Sequence, residues 1–410
     1  MAVLRVLAAT LLWLVVAACL AITVVPRFLD RIYYRGPATG HFDGERFFNP
    51  DGADDVRPGP GFALRYLTRR DDRPVWPSRV AVVASKPTPR VEGSAMVATW
   101  VGHATVLVQT EGLNILTDPV WSDTVGPLGF GPRRGAAPGI RFEDLPKIDL
   151  VLVSHNHYDH LDVATLRRLW ERDRPIIITG LGNDAILRAA GIPGRFDTTD
   201  CGHCPGVQAL DWGRTEALVW AGNSWSGDSP DPTVRTVQVT VNRNHHWGSR
   251  WFADRNRALW SSFVVHLPGG NLFFAGDTGA GDLGWADDAA RLGPVRLALI
   301  PIGAFRFEAG QMASGSHIGP VDAVEVFRRL GATSAIGVHW GTFRLSYEAW
   351  DTPPKLLAAT MRCAGLEGFQ AVPIGVPRMI PPFSTRPSAP AMSRDALLRC
   401  LDTPETRALR

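Results

Sequence analysis

The sequence predicts an α/β fold in two halves, each opening on antiparallel hairpins and closing on strand–helix units. Three observations carry this. Short β-branched or apolar runs recur from Met96 to Val338 with turn residues between them. Amphipathic helical stretches come after the hairpins in each half, a rhythm that suits a two-halved α/β sandwich. Clusters of His and Asp stand at several strand ends, where loops leaving a sheet converge on one rim.

Taken in order, Val6 to Val25 carries no charge and is long enough to cross a bilayer. It reads as an uncleaved single transmembrane anchor. A cleaved signal peptide is one alternative; a lipoprotein signal is another, because Val16-Ala17-Ala18-Cys19 looks like a lipobox. Only Arg5 precedes the span, while Arg27, Arg31 and Arg35 follow it, which leans toward a cytoplasmic catalytic domain. Residues 1–35 thus form an anchor or signal segment. Residues 36–94, rich in Gly, Pro, Asp and Arg, form an extended arm.

One large domain follows, over residues 95–380. Ala98 to Val101, Ala104 to Val108 and Leu113 to Leu116 read as strands, with Glu111-Gly112 as a hairpin turn. Asp118-Pro119 opens a loop containing Gly126-Pro127, Gly129 and Gly131-Pro132. Loops that long between core strands are more often functional than idle. Ile148 to Val153 is a buried strand. Asp162 caps a helix to about Arg172, Pro175 to Thr179 is the next strand, and Asn183 to Ala190 is a short helix closed by Gly191. Strands near 217–220 and 236–241 precede a hairpin, 263–267 and 271–274, across Pro268-Gly269-Gly270. Leu297 to Pro301, a helix from Val321 to Leu330, and Ser334 to Val338 complete the second half. From Pro381 to Ser393 the chain is Pro/Ser-rich, and within the tail of residues 381–410 the stretch to Arg410 reads as a loose helix or as disordered.

Composition bounds the function. Apolar residues make up 45% and charged residues 20%, ordinary for a globular protein. A net charge of +3 on 410 residues, with no basic run, disfavours nucleic acid as a partner. Cys19, Cys201, Cys204, Cys363 and Cys400 are too few for a disulfide scaffold, and the number is odd. Cys201-Gly202-His203-Cys204 lacks a second C-x-x-C and runs straight into Pro205-Gly206, so it reads as a surface loop. Arg133-Arg134 reads as solvated, with contact to a phosphate headgroup as the alternative.

The chemistry centres on Ser154-His155-Asn156-His157-Tyr158-Asp159-His160, directly after the buried strand. Imidazole nitrogens and carboxylate oxygens are ligands that zinc and similar metals accept. His155 and His157 are two apart and point the same way in extended backbone. Four ligand-type residues this dense are hard to explain by packing, since each would need a buried partner. Further candidates follow later strands: His245-His246, Asp277 and His339. Together they suit two divalent metal ions. One would take His155, His157 and a later His; the other would take Asp159, His160 and His339; Asp277 would bridge them. Zinc is the default, with iron or manganese open to the same ligands.

The segment His155 to His160 resembles the H-x-H-x-D-H signature of the metallo-β-lactamase fold superfamily. Trp100 to Thr105, Leu116 to Ser122, His246-Trp247, Phe273 to Gly279 and Val338 to Phe343 resemble, more narrowly, the branch containing N-acylphosphatidylethanolamine-hydrolysing phospholipase D and its bacterial relatives. The resemblance implies a four-layer αββα sandwich. It selects His246 over His245 as the third imidazole, leaving His245 to orient a ligand. It places His317 over the active site, as a group that stabilises the phosphate or the leaving group, with packing at a helix start as the alternative reading. His103 reads either as a residue beside the metals or as a turn histidine.

The implied reaction is a phospholipase D-type hydrolysis in which a hydroxide between two cations attacks phosphorus, held in orientation by Asp159 and Asp277. Phosphatidic acid and an N-acylethanolamine would be the products, and the partners a lipid substrate and the membrane. Trp121, Trp225, Trp251, Phe305 and Phe343 are candidates for an apolar surround. Two other readings are a same-fold hydrolase of a lactone, thioester or other phosphodiester, and a membrane-tethered envelope protein with structural metals.

Overall fold

Glu111 and Gly112 take φ of 51° and 73°, the mirror-image turn geometry that a two-residue hairpin needs between Thr110 and Leu113. That turn joins two strands of the first of two sheets in the computed structural model, which describes residues 2–29, 31–52, 74–78, 80–195, 205–221, 234–251, 253–307, 310–385 and 392–409.

The first sheet holds β1 (Met96–Gly102), β2 (Thr105–Thr110), β3 (Leu113–Thr117), β4 (Leu150–Val153), β5 (Ile176–Gly180) and β6 (Gly206–Leu210). The second holds β7 (Thr215–Ala221), β8 (Val234–Asn242), β9 (Ser262–His266), β10 (Asn271–Phe274), β11 (Val295–Pro301), β12 (Ser334–Val338) and β13 (Phe369–Gln370). A last strand, β14 (Pro377–Met379), returns to the first sheet and pairs antiparallel with β1. The orders are β14-β1-β2-β3-β4-β5-β6 and β13-β12-β11-β10-β9-β8-β7. Each half begins antiparallel and turns parallel, at β3–β4 in one and at β10–β11 in the other.

Parallel neighbours need crossovers; the long loop 118–149 joins β3 to β4, and helices supply the others. α1 (Ala2–Leu29) precedes the domain; α2 (Val163–Asp173) and α3 (Asn183–Ala189) serve the first sheet; α4 (Gly284–Arg291), α5 (Pro320–Leu330) and α6 (Thr352–Ala364) serve the second. Strand alternation sets the layers. Leu150 and Leu152 join the core shared by the two sheets, whereas Val151 and Val153 pack with Leu166, Leu169 and Trp170 of α2. Trp285, Val324, Phe327 and Leu357 cover the far side of the second sheet. The result is the expected α/β sandwich of four layers, αββα.

Two flanking segments are tied to this body. Phe42 and Phe47 of the arm are buried with Leu259 and Trp260. At the other end, residues 392–409 are not loose: they form α7 (Arg394–Cys400) and α8 (Pro404–Arg407). Ser393 caps α7 by accepting from Ala396 N at 3.2 Å. Leu397 and Leu401 pack on Phe305, Val321, Leu356 and Ala359. Arg394 pairs with the buried Asp322. A disulfide joins Cys363 of α6 to Cys400 of α7 across a separation of 37 residues. On loop-closure entropy, a ring of that size stabilises by about 4 kcal/mol. α1, by contrast, stands clear among the described residues, and its stretch Ala2–Ala21 is long and apolar enough to cross a membrane.

Candidate metal centre

The turn after β4 is shaped by a carboxylate from the end of β3. Asp118 is fully buried and takes φ of 30°, a conformation uncommon outside glycine. Its carboxylate accepts from Ser154 N at 2.7 Å, from Ser154 Oγ at 2.6 Å and from His160 Nδ1 at 2.6 Å. Donation through Nδ1 fixes the His160 tautomer and leaves Nε2 for the interior. Arg250 brackets the same turn, donating to the carbonyls of Asn156 at 3.0 Å and Leu161 at 2.8 Å. Its guanidinium lies 4.0 Å from the ring centre of Tyr158, whose hydroxyl donates to Arg250 O at 3.1 Å. Asp162 then caps α2 by accepting from Ala164 N and Thr165 N, as its position in the sequence predicts.

Loops from both sheets meet on this turn. His155, His157 and His246 offer nitrogens that lie within 4.8 Å of one another. His103, Asp159, His160 and His339 form a second group on the same measure. Asp277 stands between the groups: its Oδ2 is 3.0 Å from His160 Nε2, 3.0 Å from His339 Nε2 and 3.9 Å from His246 Nε2. All seven ligands expected from the sequence are therefore brought together at one rim of the sandwich. His246 Nδ1 donates to Ser316 O at 2.9 Å, which turns Nε2 inward.

The inward atoms are the telling ones. Nε2 of His246 and Oδ1 of Asp277 are buried without a hydrogen bond, Nε2 of His160 and of His339 face only carboxylate oxygens, with Asp277 Oδ2 at 3.0 Å from each, and His157 turns Nδ1 toward His155 Nε2 at 2.7 Å. Buried polar atoms normally find partners, and a cluster facing inward without them marks a place for an ion. Imidazole and carboxylate are the donor set that divalent transition metals take. The residues present fit such cations.

Electrostatics divides the cluster. Burial pushes His155 and His246 well below the ordinary imidazole range and His157 down to about 3. Burial also opposes charge on His160 and His339, but Asp277 and Asp159 outweigh it. His160 is held well above its usual value, and His339 is raised to about 9. Asp159 and Asp277 lose solvent, yet the imidazoles of His160 and His339, joined by His103 at Asp159, keep both well below the carboxylate range. A cation held here takes the place of those imidazolium protons.

His103 unites its two expected roles. It sits in a turn at φ 54°, and its Nε2 lies 3.0 Å from Asp159 Oδ2. His317 is over the cluster, with Nδ1 3.8 Å from Asp277 Oδ2. Burial lowers it to about 4, so it is a neutral imidazole near pH 7. His245 turns away to Asp51, at 2.9 Å, and reaches the site through its backbone, which accepts from Gly279 N beside Asp277.

Arg134 corrects the solvated reading. It donates to Val120 O at 2.8 Å and Ser122 O at 3.3 Å, and stacks 4.8 Å from the ring centre of Phe343. Of the expected apolar surround, Phe305 and Phe343 are buried, and the Phe343 ring stands 5.2 Å from that of His103 in the cluster. Trp225 and the Cys201–Cys204 pair lie outside the described residues. Asp118 and Arg250 were not among the expected site residues. Asp118 had a signal, since Asp118-Pro119 follows a strand end just as the ligands do.

A family model described as the beta-lactamase superfamily domain matches residues 113–340, a span that contains all eight expected site residues. N-acyl-phosphatidylethanolamine-hydrolyzing phospholipase D 1 of Caenorhabditis elegans is 35% identical over 264 residues, 64% of this chain and 68% of that protein. The mitochondrial N-acyl-phosphatidylethanolamine-hydrolyzing phospholipase D of Saccharomyces cerevisiae is 32% identical over 271 residues, 66% of this chain and 52% of that protein. Among solved structures, a possible metal-dependent hydrolase from Veillonella parvula matches with TM-score 0.50 at 12% identity. It covers 70% of this chain and 100% of that one, and bears on the fold alone.

Proposed function

The chain belongs to the metallo-β-lactamase superfamily, and from that premise we propose that it is a phosphodiesterase of phospholipase D type acting on N-acylphosphatidylethanolamine-like lipids. The observation that carries the reading is Asp277, whose Oδ2 lies 3.0 Å from His160 and from His339 and 3.9 Å from His246. One carboxylate shared between two adjoining groups of ligand-type side chains supports a site for two cations. His155, His157 and His246 would hold one divalent ion; Asp159, His160 and His339 would hold the other; Asp277 would serve both. Zinc suits this donor set. When bound, the ions supply Lewis acidity to water and to the phosphoryl oxygens.

The chain's own residues do the rest. Asp118 aims His160 inward, and His103 does the same for Asp159 through the 3.0 Å contact. His317, being neutral, offers a hydrogen bond and no charge to the phosphoryl or departing oxygen. The phosphorus–headgroup oxygen bond breaks and water supplies the new oxygen, giving phosphatidic acid and an N-acylethanolamine. The relatives named for that lipid support the substrate class. An anchor formed by α1 would hold the enzyme at its substrate's surface.

The test uses detergent-solubilised full-length protein, with metal content measured on the same sample. Release of N-acylethanolamine at two ions per chain is the expected result. A loaded protein that leaves this lipid intact and cuts a lactone, a thioester or another phosphodiester overturns the substrate. A loaded protein that cuts nothing overturns the activity.

A further inference from the structure

Residues 31–51 lead from α1 to the domain, and they clasp the loop that carries His246. Tyr33 Oη donates to Asp254 Oδ2 at 2.8 Å. Arg46 Nη2 donates to Ala253 O at 3.1 Å, and Phe47 N to Asn256 O at 2.8 Å. Phe42 and Phe47 close over Leu259 and Trp260. The register so fixed delivers Asn49 and Asp51 to the metal centre.

There Asn49 Nδ2 donates to the backbone carbonyl of His246 at 3.0 Å, while Asn49 Oδ1 accepts from Trp260 Nε1 at 3.0 Å. An indole only donates, so the buried Trp260 decides which end of the amide faces it. The nitrogen is left for the carbonyl of His246. Two residues on, Asp51 accepts from His245 Nδ1 at 2.9 Å and from Asp282 N at 3.1 Å. The arm thus grips both His245 and His246. The ring of His246 is held independently, by Ser316 O. Backbone and ring of His246 are thus each held by a partner, one from the arm and one from the loop before α5.

The structure assigns Asn49 as a positioning residue for His246, which makes the segment leaving the N-terminal helix part of the metal centre rather than a tether. This rests on the reading of His246 as a ligand. Partners that orient a ligand are worth tenfold or more in metal affinity. Asn49→Asp is the matched substitution: it keeps the oxygen that Trp260 needs and turns an oxygen, not a nitrogen, toward the His246 carbonyl.

The experiment follows transfer of zinc from loaded full-length protein to a chromophoric chelator, beside thermal melting and steady-state kinetics. Asn49→Asp is expected to release one of two ions about tenfold faster, with kcat lowered and KM little changed. A lowered melting temperature with wild-type zinc release overturns the proposal, because a purely structural clasp predicts that pattern. If Asn49→Asp does not fold, Asn49→Ser gives the same comparison, its hydroxyl being too short to span both partners. His246→Ala runs in parallel. Unchanged release in that variant overturns the reading of the centre itself. Fast release there with wild-type release in Asn49→Asp overturns only the role of Asn49.

Discussion

Asp277→Asn is expected to cost about 10³-fold or more in kcat/KM, the scale seen when a group acts as one unit with its neighbours. The amide has the carboxylate's shape, so packing is preserved and only charge is lost. That charge faces His160, His339 and His246 from 3.0, 3.0 and 3.9 Å. Two cations without the carboxylate between them repel each other across a buried space. Metal content is therefore expected to fall below two ions per chain, with the fold intact by circular dichroism. A variant retaining two ions and wild-type turnover would remove Asp277 from the centre.

The second large effect belongs to a residue with no inward-facing atom. Asp118→Asn places an amide where three donors converge: Ser154 N, Ser154 Oγ and His160 Nδ1. One oxygen cannot satisfy all three, and the new NH₂ faces a donor. The expected result is a loss of roughly 10–100-fold in metal affinity or activity, through a freed His160 ring. A stability loss of about 1–3 kcal/mol should accompany it, for a buried donor left without an acceptor. Isothermal titration with zinc and chemical denaturation separate the two effects. Unaltered affinity in a destabilised variant would make Asp118 a scaffold residue only.

How much of this could be seen in the sequence depends on the range of the interaction. Most strands of both halves were legible because they are local apolar runs with turn punctuation, and the ligands because they crowd strand ends; the short β13 and β14 were not. β6 gave little signal: Gly206–Leu210 is partly exposed and is placed by its parallel pairing with β5. α6 begins Thr352-Pro353-Pro354, which reads as a break, although proline is well suited to the first turn of a helix. Arg134 looked solvated because nothing in the sequence shows that Val120 and Ser122 leave their carbonyls facing it. Asn49 and Asp51 meet their histidines across 197 and 194 residues, a distance no local pattern spans.

The Cys363–Cys400 bond carries a consequence for where the domain sits. Glutathione and thioredoxin keep cytosolic thiols reduced, so a disulfide held closed belongs to an oxidising compartment. The domain is therefore expected outside the cytosol, and on the outer face if the apolar segment anchors it, opposite to the side indicated by the arginines around that segment. In intact cells, a membrane-impermeant reductant followed by a mass-tagged maleimide should label both cysteines. Labelling that requires lysis would put the domain inside.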